Sequence, residues 1–198
     1  MKQLALGISP PPQPTLENFI PGANAELLAR LREFRAGRFA EAVLYLWGEP
    51  GSGKTHLLRA CAGPAVVDDV EKLAEPEQIA LFNAINEARE TGGHVLAAGN
   101  APPAQLPLRE DLRSRLAWGL VYELKRLTDE ERAVYLRAEA GRRGLRLPED
   151  VVAYLLTHAR RDLPTLTGIL DRLDRASLEQ KRPVTLPLVR EILNFPDA

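Results

Sequence analysis

The stretch AVLYLWGEPGSGKTHLLRACA, residues 42–62, decides the fold, because an apolar run, a glycine-rich loop and a helix-forming run follow one another without a break. Within it, Gly48, Gly51, Gly53, Lys54 and Thr55 match G-x-x-x-x-G-K-[ST]. The glycines of that pattern let backbone N–H groups, including that of Ser52, wrap phosphate oxygens where a Cβ would obstruct them. Lys54 is expected to neutralise the outer phosphates, and the Thr55 hydroxyl to reach Mg²⁺. The helix starting near Lys54 turns its partially positive end toward the same anion. A bare glycine-rich turn is the alternative, but the full motif between a strand and a helix points to nucleotide binding.

The totals set limits around that loop. A chain of 198 residues with 45% hydrophobic content can bury one core, or one core and a small lobe. A net charge of -1 and a pI near 6.3 show no global basic excess, so strong direct DNA binding is not expected. The lone Cys61 cannot form an internal disulfide and reads as a small packed apolar group, which fits cytoplasmic residence. Nothing approaches the ~18 apolar residues of a membrane span, and Met1 to Ile8 is too short for a signal peptide.

Residues 1–14, MKQLALGISPPPQP, read as an extended tail, yet Gln3, Leu4, Leu6 and Ile8 could anchor it in a groove of another protein. Next, Leu27, Leu28, Leu31 and Phe34 have the spacing of an amphipathic helix, with Asn24 as its N-cap. Leu16, Phe19 and Ile20, just ahead of it, either pack under the phosphate loop and touch an adenine ring or serve only the core, and spacing alone favours core packing.

Beyond the loop, Ala65, Val66 and Val67 read as a buried strand delivering Asp68 to the Mg²⁺ shell, with Asp69 available to orient water. A helix over 76–90 follows, with Ile79, Phe82, Ile85 and Ala88 as its apolar positions, and then a strand over 94–98. Asn100 stands where that strand ends, level with the phosphates, and either holds the attacking water or serves only the turn. Arg113 and Arg115, in REDLRSRLAW, are the arginines suited to a transferring phosphoryl group, unless they merely decorate a solvated face. A further strand is expected over 119–123.

From Thr128 the composition turns wholly helical. Thr128 with Glu131 makes a capping box, and Pro148 starts the next helix. Helices over 162–178 and 187–193 complete a small lobe. The expected division is a tail at 1–14, a nucleotide-binding α/β domain at 15–125 and a helical lid at 126–198.

Together these pieces resemble the AAA+ family of ATPases, and more narrowly the DnaA-like proteins: replication initiators and the Hda family of DnaA regulatory inactivators. The resemblance covers nearly the whole chain and is most specific in TLENFIPGANAELL, YLWGEPGSGKTHLL, DDV, GNAPP, LRSRLAWGL and LDRLDRASL. It implies a P-loop αβα domain with a parallel sheet and helical lid, binding ADP or ATP with Mg²⁺ on Thr55 and Asp68. It also implies that Asp68 and Asp69 are Walker B acids, Asn100 the sensor 1 residue and Arg115 an arginine finger, with Phe19 and Ile20 beside the adenine.

QLALGI is similar to the short motif by which inactivators bind the DNA polymerase sliding clamp, so Gln3, Leu4, Leu6 and Ile8 are expected to dock there. Residues up to Ala198 contain no C-terminal DNA-binding helices, which favours the inactivators over the initiators. The resemblance thus implies an activator of hydrolysis of DnaA-bound ATP that prevents re-initiation, acting as one copy or as a homo-oligomer.

Two departures matter. Only thirteen residues separate Lys54 from Asp68, so the sheet is expected to be one strand smaller. Pro164 occupies the position aligned with the sensor 2 arginine, so intrinsic hydrolysis should be slow. The competing readings are a self-contained AAA+ ATPase or helicase loader, and a P-loop small-molecule kinase.

Overall fold

The computed structural model describes residues 13–63, 65–160 and 162–194. Gln3, Leu4, Leu6 and Ile8 lie outside these residues. Contacts divide the chain into two units, Met1–Leu124 and Lys125–Ala198.

The first unit alternates helices with strands. Its elements are α1 (Ala25–Arg35), β1 (Val43–Trp47), α2 (Lys54–Ala60), β2 (Val66–Val67), α3 (Glu75–Thr91), β3 (Val95–Gly99), α4 (Glu110–Leu116) and β4 (Leu120–Glu123). The strands form one parallel sheet in the order β2-β3-β1-β4. The central strands, VLYLW and VLAAG, are nearly unbroken apolar runs because a parallel sheet covered on both faces leaves no side for polar groups.

Successive side chains point to opposite faces. Leu44, Leu46, Leu96 and Ala98 meet Leu27, Leu28 and Leu31 of α1 and Leu57 and Leu58 of α2. Val43, Tyr45, Val95 and Ala97 meet Leu81 and Ile85 of α3 and Leu112 and Leu116 of α4. The phosphate-loop helix and the arginine-bearing helix therefore pack on opposite faces of the sheet. Register places Trp47 beside Gly99 and Glu123, so the loop after β1 and the turn after β3 share the C-terminal edge.

The sheet has four strands, as the short segment between Lys54 and Asp68 requires. Three local expectations change. The strand expected to be buried at 65–67 is a two-residue, half-buried strand that, among the described residues, pairs with β3 alone. Ile79 is 41% exposed: Leu81, Ile85 and Ala88 make the inward stripe of α3, and Ile79 stands about 200° around the helix from Leu81. Asn24 is the N-cap residue of α1, as expected, but its side chain makes no capping hydrogen bond; its amide donates to the Pro21 carbonyl at 3.0 Å.

The second unit comprises α5 (Asp129–Arg142), α6 (Glu149–His158), α7 (Leu163–Gln180) and α8 (Leu186–Asn194). Leu136, Val151, Leu155, Leu166, Leu170, Leu173 and Val189 form its core. Each fully buried aliphatic side chain there stabilises the lobe by about 1.5–3 kcal/mol. The capping box is present: the Glu131 N–H donates to Thr128 Oγ1 at 3.2 Å, and the Thr128 N–H donates to Glu131 Oε2 at 2.8 Å. Pro148 precedes α6 as its N-cap residue instead of opening it. Pro164 lies in the first turn of α7, where its missing N–H costs no intrahelical bond, while Asp162 Oδ1 accepts the Thr165 N–H at 3.0 Å.

Candidate functional site

The phosphate loop runs between the end of β1 and the start of α2, and its glycines have distinct reasons. At Gly48, an added Cβ would lie 2.6 Å from the Leu124 carbonyl, because β4 ends tightly against the loop through the Leu124 N–H donated to the Trp47 carbonyl at 2.6 Å. Gly53 has a φ of +104°, and a Cβ there would lie 2.9 Å from Phe19 Cε2. Backbone of this shape, opening directly into a helix, turns N–H groups toward one concavity.

Three side chains complete the cradle. Lys54 is buried, and its Nζ donates to the Gly48 carbonyl at 2.6 Å and the Glu49 carbonyl at 3.2 Å, which keeps the ammonium inside the loop. Ser52 Oγ is buried without a hydrogen-bond partner among the described residues. An orphaned hydroxyl costs about 1–3 kcal/mol, a penalty that an anion in the loop would remove. Thr55 Oγ1 donates to Asp68 Oδ2 at 2.6 Å. Adjacent ligands of an octahedral Mg²⁺ at about 2.1 Å lie about 3 Å apart, so these two oxygens need to part only slightly to share one cation. The loop, Thr55 and Asp68 thus fit a magnesium-bound nucleotide, and β2 delivers Asp68 despite its shortness.

Asp69 is placed differently. It adopts a left-handed φ of +51°, its N–H donates to Asp68 Oδ1 at 3.0 Å, and its carboxylate pairs with Lys72 Nζ at 2.6 Å. That hydrogen bond holds the Lys72 ammonium above the usual lysine range. Asn100 follows β3 at the phosphate edge, and its N–H donates to Glu71 Oε2 at 3.3 Å. Beneath this turn, the Tyr45 hydroxyl donates to the Ala101 carbonyl at 2.8 Å, and burial raises the phenol above its ordinary range. A Cβ on Gly99 would stand 2.3 Å from that hydroxyl. Tyr45 and Glu71 therefore fix the Asn100 turn; sequence reading treated Tyr45 only as part of an apolar strand, although a tyrosine in a doubly covered strand needs a polar partner.

The segment before α1 is pinned to the loop. Leu16 is fully buried, the Phe19 ring lies 5.6 Å from the His56 ring, and His56 Nε2 is 3.0 Å from the Thr15 carbonyl oxygen. Arg35 Nη2 pairs with Glu17 at 2.7 Å and holds that carboxyl down at about 2. Phe19 thus sits against the loop, and Ile20 beside it is half-buried.

Arg115 is on α4, in the layer on the far side of the sheet from α2. Its Nε donates to Asn86 Oδ1 at 2.8 Å, and its guanidinium carbon lies 3.6 Å from the Trp118 ring centroid. Arg113 Nη1 donates instead to the Ala104 carbonyl at 3.3 Å. A cleft of about 410 Å³ bordered by Ala42, Gly93, Trp118 and Gly119 opens where the strands begin, at the opposite end of the sheet from the phosphate loop.

Among the described residues, no cluster of three or more His, Cys, Asp or Glu could hold a metal, and no helix is long and apolar enough to cross a membrane.

The family described as Hda, lid domain, matches residues 129–193. Domain III of the Thermotoga maritima replication initiation protein DnaA superposes with a TM-score of 0.72 at 23% identity, covering 92% of this chain and 96% of that one. AMPPCP-bound DnaA from Aquifex aeolicus gives 0.70 at 22% identity, covering 86% and 68%. The Thermotoga maritima RuvB Holliday junction branch migration motor gives 0.67 at 19% identity, covering 92% and 72%. The chain has a DnaA-like AAA+ fold, with a C-terminal helical lobe that matches the Hda lid domain.

Proposed function

We propose that this chain is a nucleotide-bound regulatory inactivator of the replication initiator DnaA. It docks on the DNA polymerase sliding clamp through Gln3, Leu4, Leu6 and Ile8, binds ADP or ATP in its own loop, and accelerates hydrolysis of ATP held by DnaA. Gly48, Gly51, Ser52, Gly53 and Lys54 hold the phosphates in this reading, and Phe19 and Ile20 border the base. Thr55 and Asp68 hold Mg²⁺, which neutralises charge on the terminal phosphates. Asn100 and Asp69 face the chain's own nucleotide, whereas Arg115 is supplied to the neighbour's.

The observation that carries this reading is an asymmetry. The binding elements Lys54, Thr55 and Asp68 sit together, but the water-orienting acid Asp69 is tied to Lys72. Arg115 has no carboxylate partner among the described residues and lies across the sheet from the chain's own phosphate-loop helix. A chain built this way binds nucleotide well, turns it over slowly and has a cation to lend. The Hda lid match favours this partner over the branch-migration motors that share the fold.

The test measures hydrolysis of DnaA-bound ATP in the presence of clamp loaded on DNA. An arginine finger supplied in trans is worth roughly 10³–10⁵ in rate, so Arg115→Ala should remove nearly all stimulation while nucleotide affinity is kept. Full stimulation by a folded Arg115→Ala protein would overturn the proposal. Replacing Gln3 and Leu4 by alanine should abolish clamp binding and leave nucleotide affinity intact.

A further inference from the structure

The arginines of α4 have very different surroundings. Arg109 is forked onto Asp111, with Nε at 3.2 Å and Nη2 at 2.8 Å, so its charge is already matched. Arg115 instead is anchored at Nε by Asn86 and lies 3.6 Å from the centroid of Trp118, with the Phe82 ring at 5.0 Å. Its Nη nitrogens make no hydrogen bond among the described residues.

That arrangement selects one edge of the guanidinium. Nε is bonded and the guanidinium carbon lies near two aromatic rings, which leaves the Nη pair, the fork suited to two phosphate oxygens, without a hydrogen-bond partner among the described residues. A cation over an indole is attracted without being neutralised, so Arg115 keeps its charge for a ligand. The holders come from two elements: Asn86 stands one helical turn after Phe82 on α3, and Trp118 lies three residues after Arg115, just past α4. Trp118 is 39% exposed, more than a purely core residue would be. The Arg89 guanidinium lies 4.4 Å from the same ring and adds positive potential beside Arg115.

The geometry points to Trp118 and Asn86 as positioning residues that pre-orient Arg115 toward the phosphoryl group of a second chain's nucleotide. This rests on the reading of Arg115 given above and deepens it. A freely rotating arginine would have to be ordered during each encounter, whereas a held one enters the shared site already aligned.

The experiment titrates the full chain into DnaA, ATP and loaded clamp, reading the plateau rate and the half-saturating concentration separately. Trp118→Leu and Asn86→Ala should each lower the plateau about ten- to a hundredfold with half-saturation unchanged, the scale of a small misplacement in an active site. Trp118→Phe, which keeps an aromatic face, should recover most of the loss. In the free protein, the Arg115 Nε–H resonance should be ring-current shifted and slow to exchange, and should revert to the free-arginine position in Trp118→Leu.

Arg115→Ala run alongside separates the two ideas: an unchanged plateau with it refutes the role of Arg115 and the cradle together. A lost plateau with Arg115→Ala but wild-type plateaus for Trp118→Leu and Asn86→Ala overturns the cradle alone. A raised half-saturation at constant plateau makes Trp118 a docking contact and equally overturns it. If Trp118→Leu does not fold, Asn86→Ala and the Nε–H signal decide.

Discussion

Gly53→Ala is the most informative small change in the phosphate loop, because two separable penalties fall on it. The residue sits at a φ of +104°, which an L side chain rarely adopts, and the new Cβ would lie 2.9 Å from the Phe19 ring. A backbone forced into such a region costs about 1–3 kcal/mol. If the loop relaxes to avoid this strain, the binding-competent fraction falls, and nucleotide affinity drops by about 5- to 150-fold. A fluorescent ADP titration measures the loss. Phe19→Ala in the same background removes the ring; because Phe19 also borders the base, its own effect on affinity is measured separately, and the double-mutant cycle then reports how much of the penalty is the steric clash. Gly37→Ala is the control: its φ is +64° with nothing within 4 Å of the new Cβ, so it should cost about 1–2 kcal/mol of stability and leave affinity unchanged. Gly53→Ala binding ADP within twofold of wild type would refute the claim that this geometry shapes the site.

Further outcomes follow from the surrounding contacts. Because Arg35 depresses the Glu17 carboxyl from 4.5 to about 2, that pair stabilises the fold fully above pH 4.5 and loses its contribution as pH falls through about 2; an NMR titration should give that midpoint, and Arg35→Ala should return it toward the ordinary value. Burial raises the Cys61 thiol from 9.0 to about 11, so the folded state keeps its proton: stability is full below pH 9 and lost as pH rises toward 11, and alkylation of the native protein should be negligible at neutral pH. Lys72→Ala should free Asp69 and raise the chain's own ATP turnover by up to about fivefold, the scale of an exposed ion pair, with ADP affinity unchanged in a parallel titration.

The phosphate loop was legible because its chemistry is local: spacing, glycine and the flanking periodicities all lie within residues 42–62. The reduced sheet was legible for a similar reason, since thirteen residues after Lys54 cannot hold a helix, another strand and another helix. What escaped depends on contacts between distant segments. Nothing local says that Glu71 takes the Asn100 N–H, or that Tyr45 holds Ala101 across 56 positions. The Phe82, Asn86 spacing and the Arg115, Trp118 spacing each announce a shared helical neighbourhood, but only packing α3 on α4 brings the two pairs together. Ile79 was misplaced because apolar residues on α3 exceed what one face can bury, and sequence alone does not say which is left outside.

The central claim is that this chain lends Arg115 to another chain's reaction and turns over its own nucleotide slowly. It is tested most directly by placing γ-labelled ATP on one partner at a time in a complex with loaded clamp. The account predicts rapid label release from DnaA, dependent on Arg115, and slow release when this chain alone carries the label. Rapid release from this chain, with no acceleration on DnaA, would contradict it.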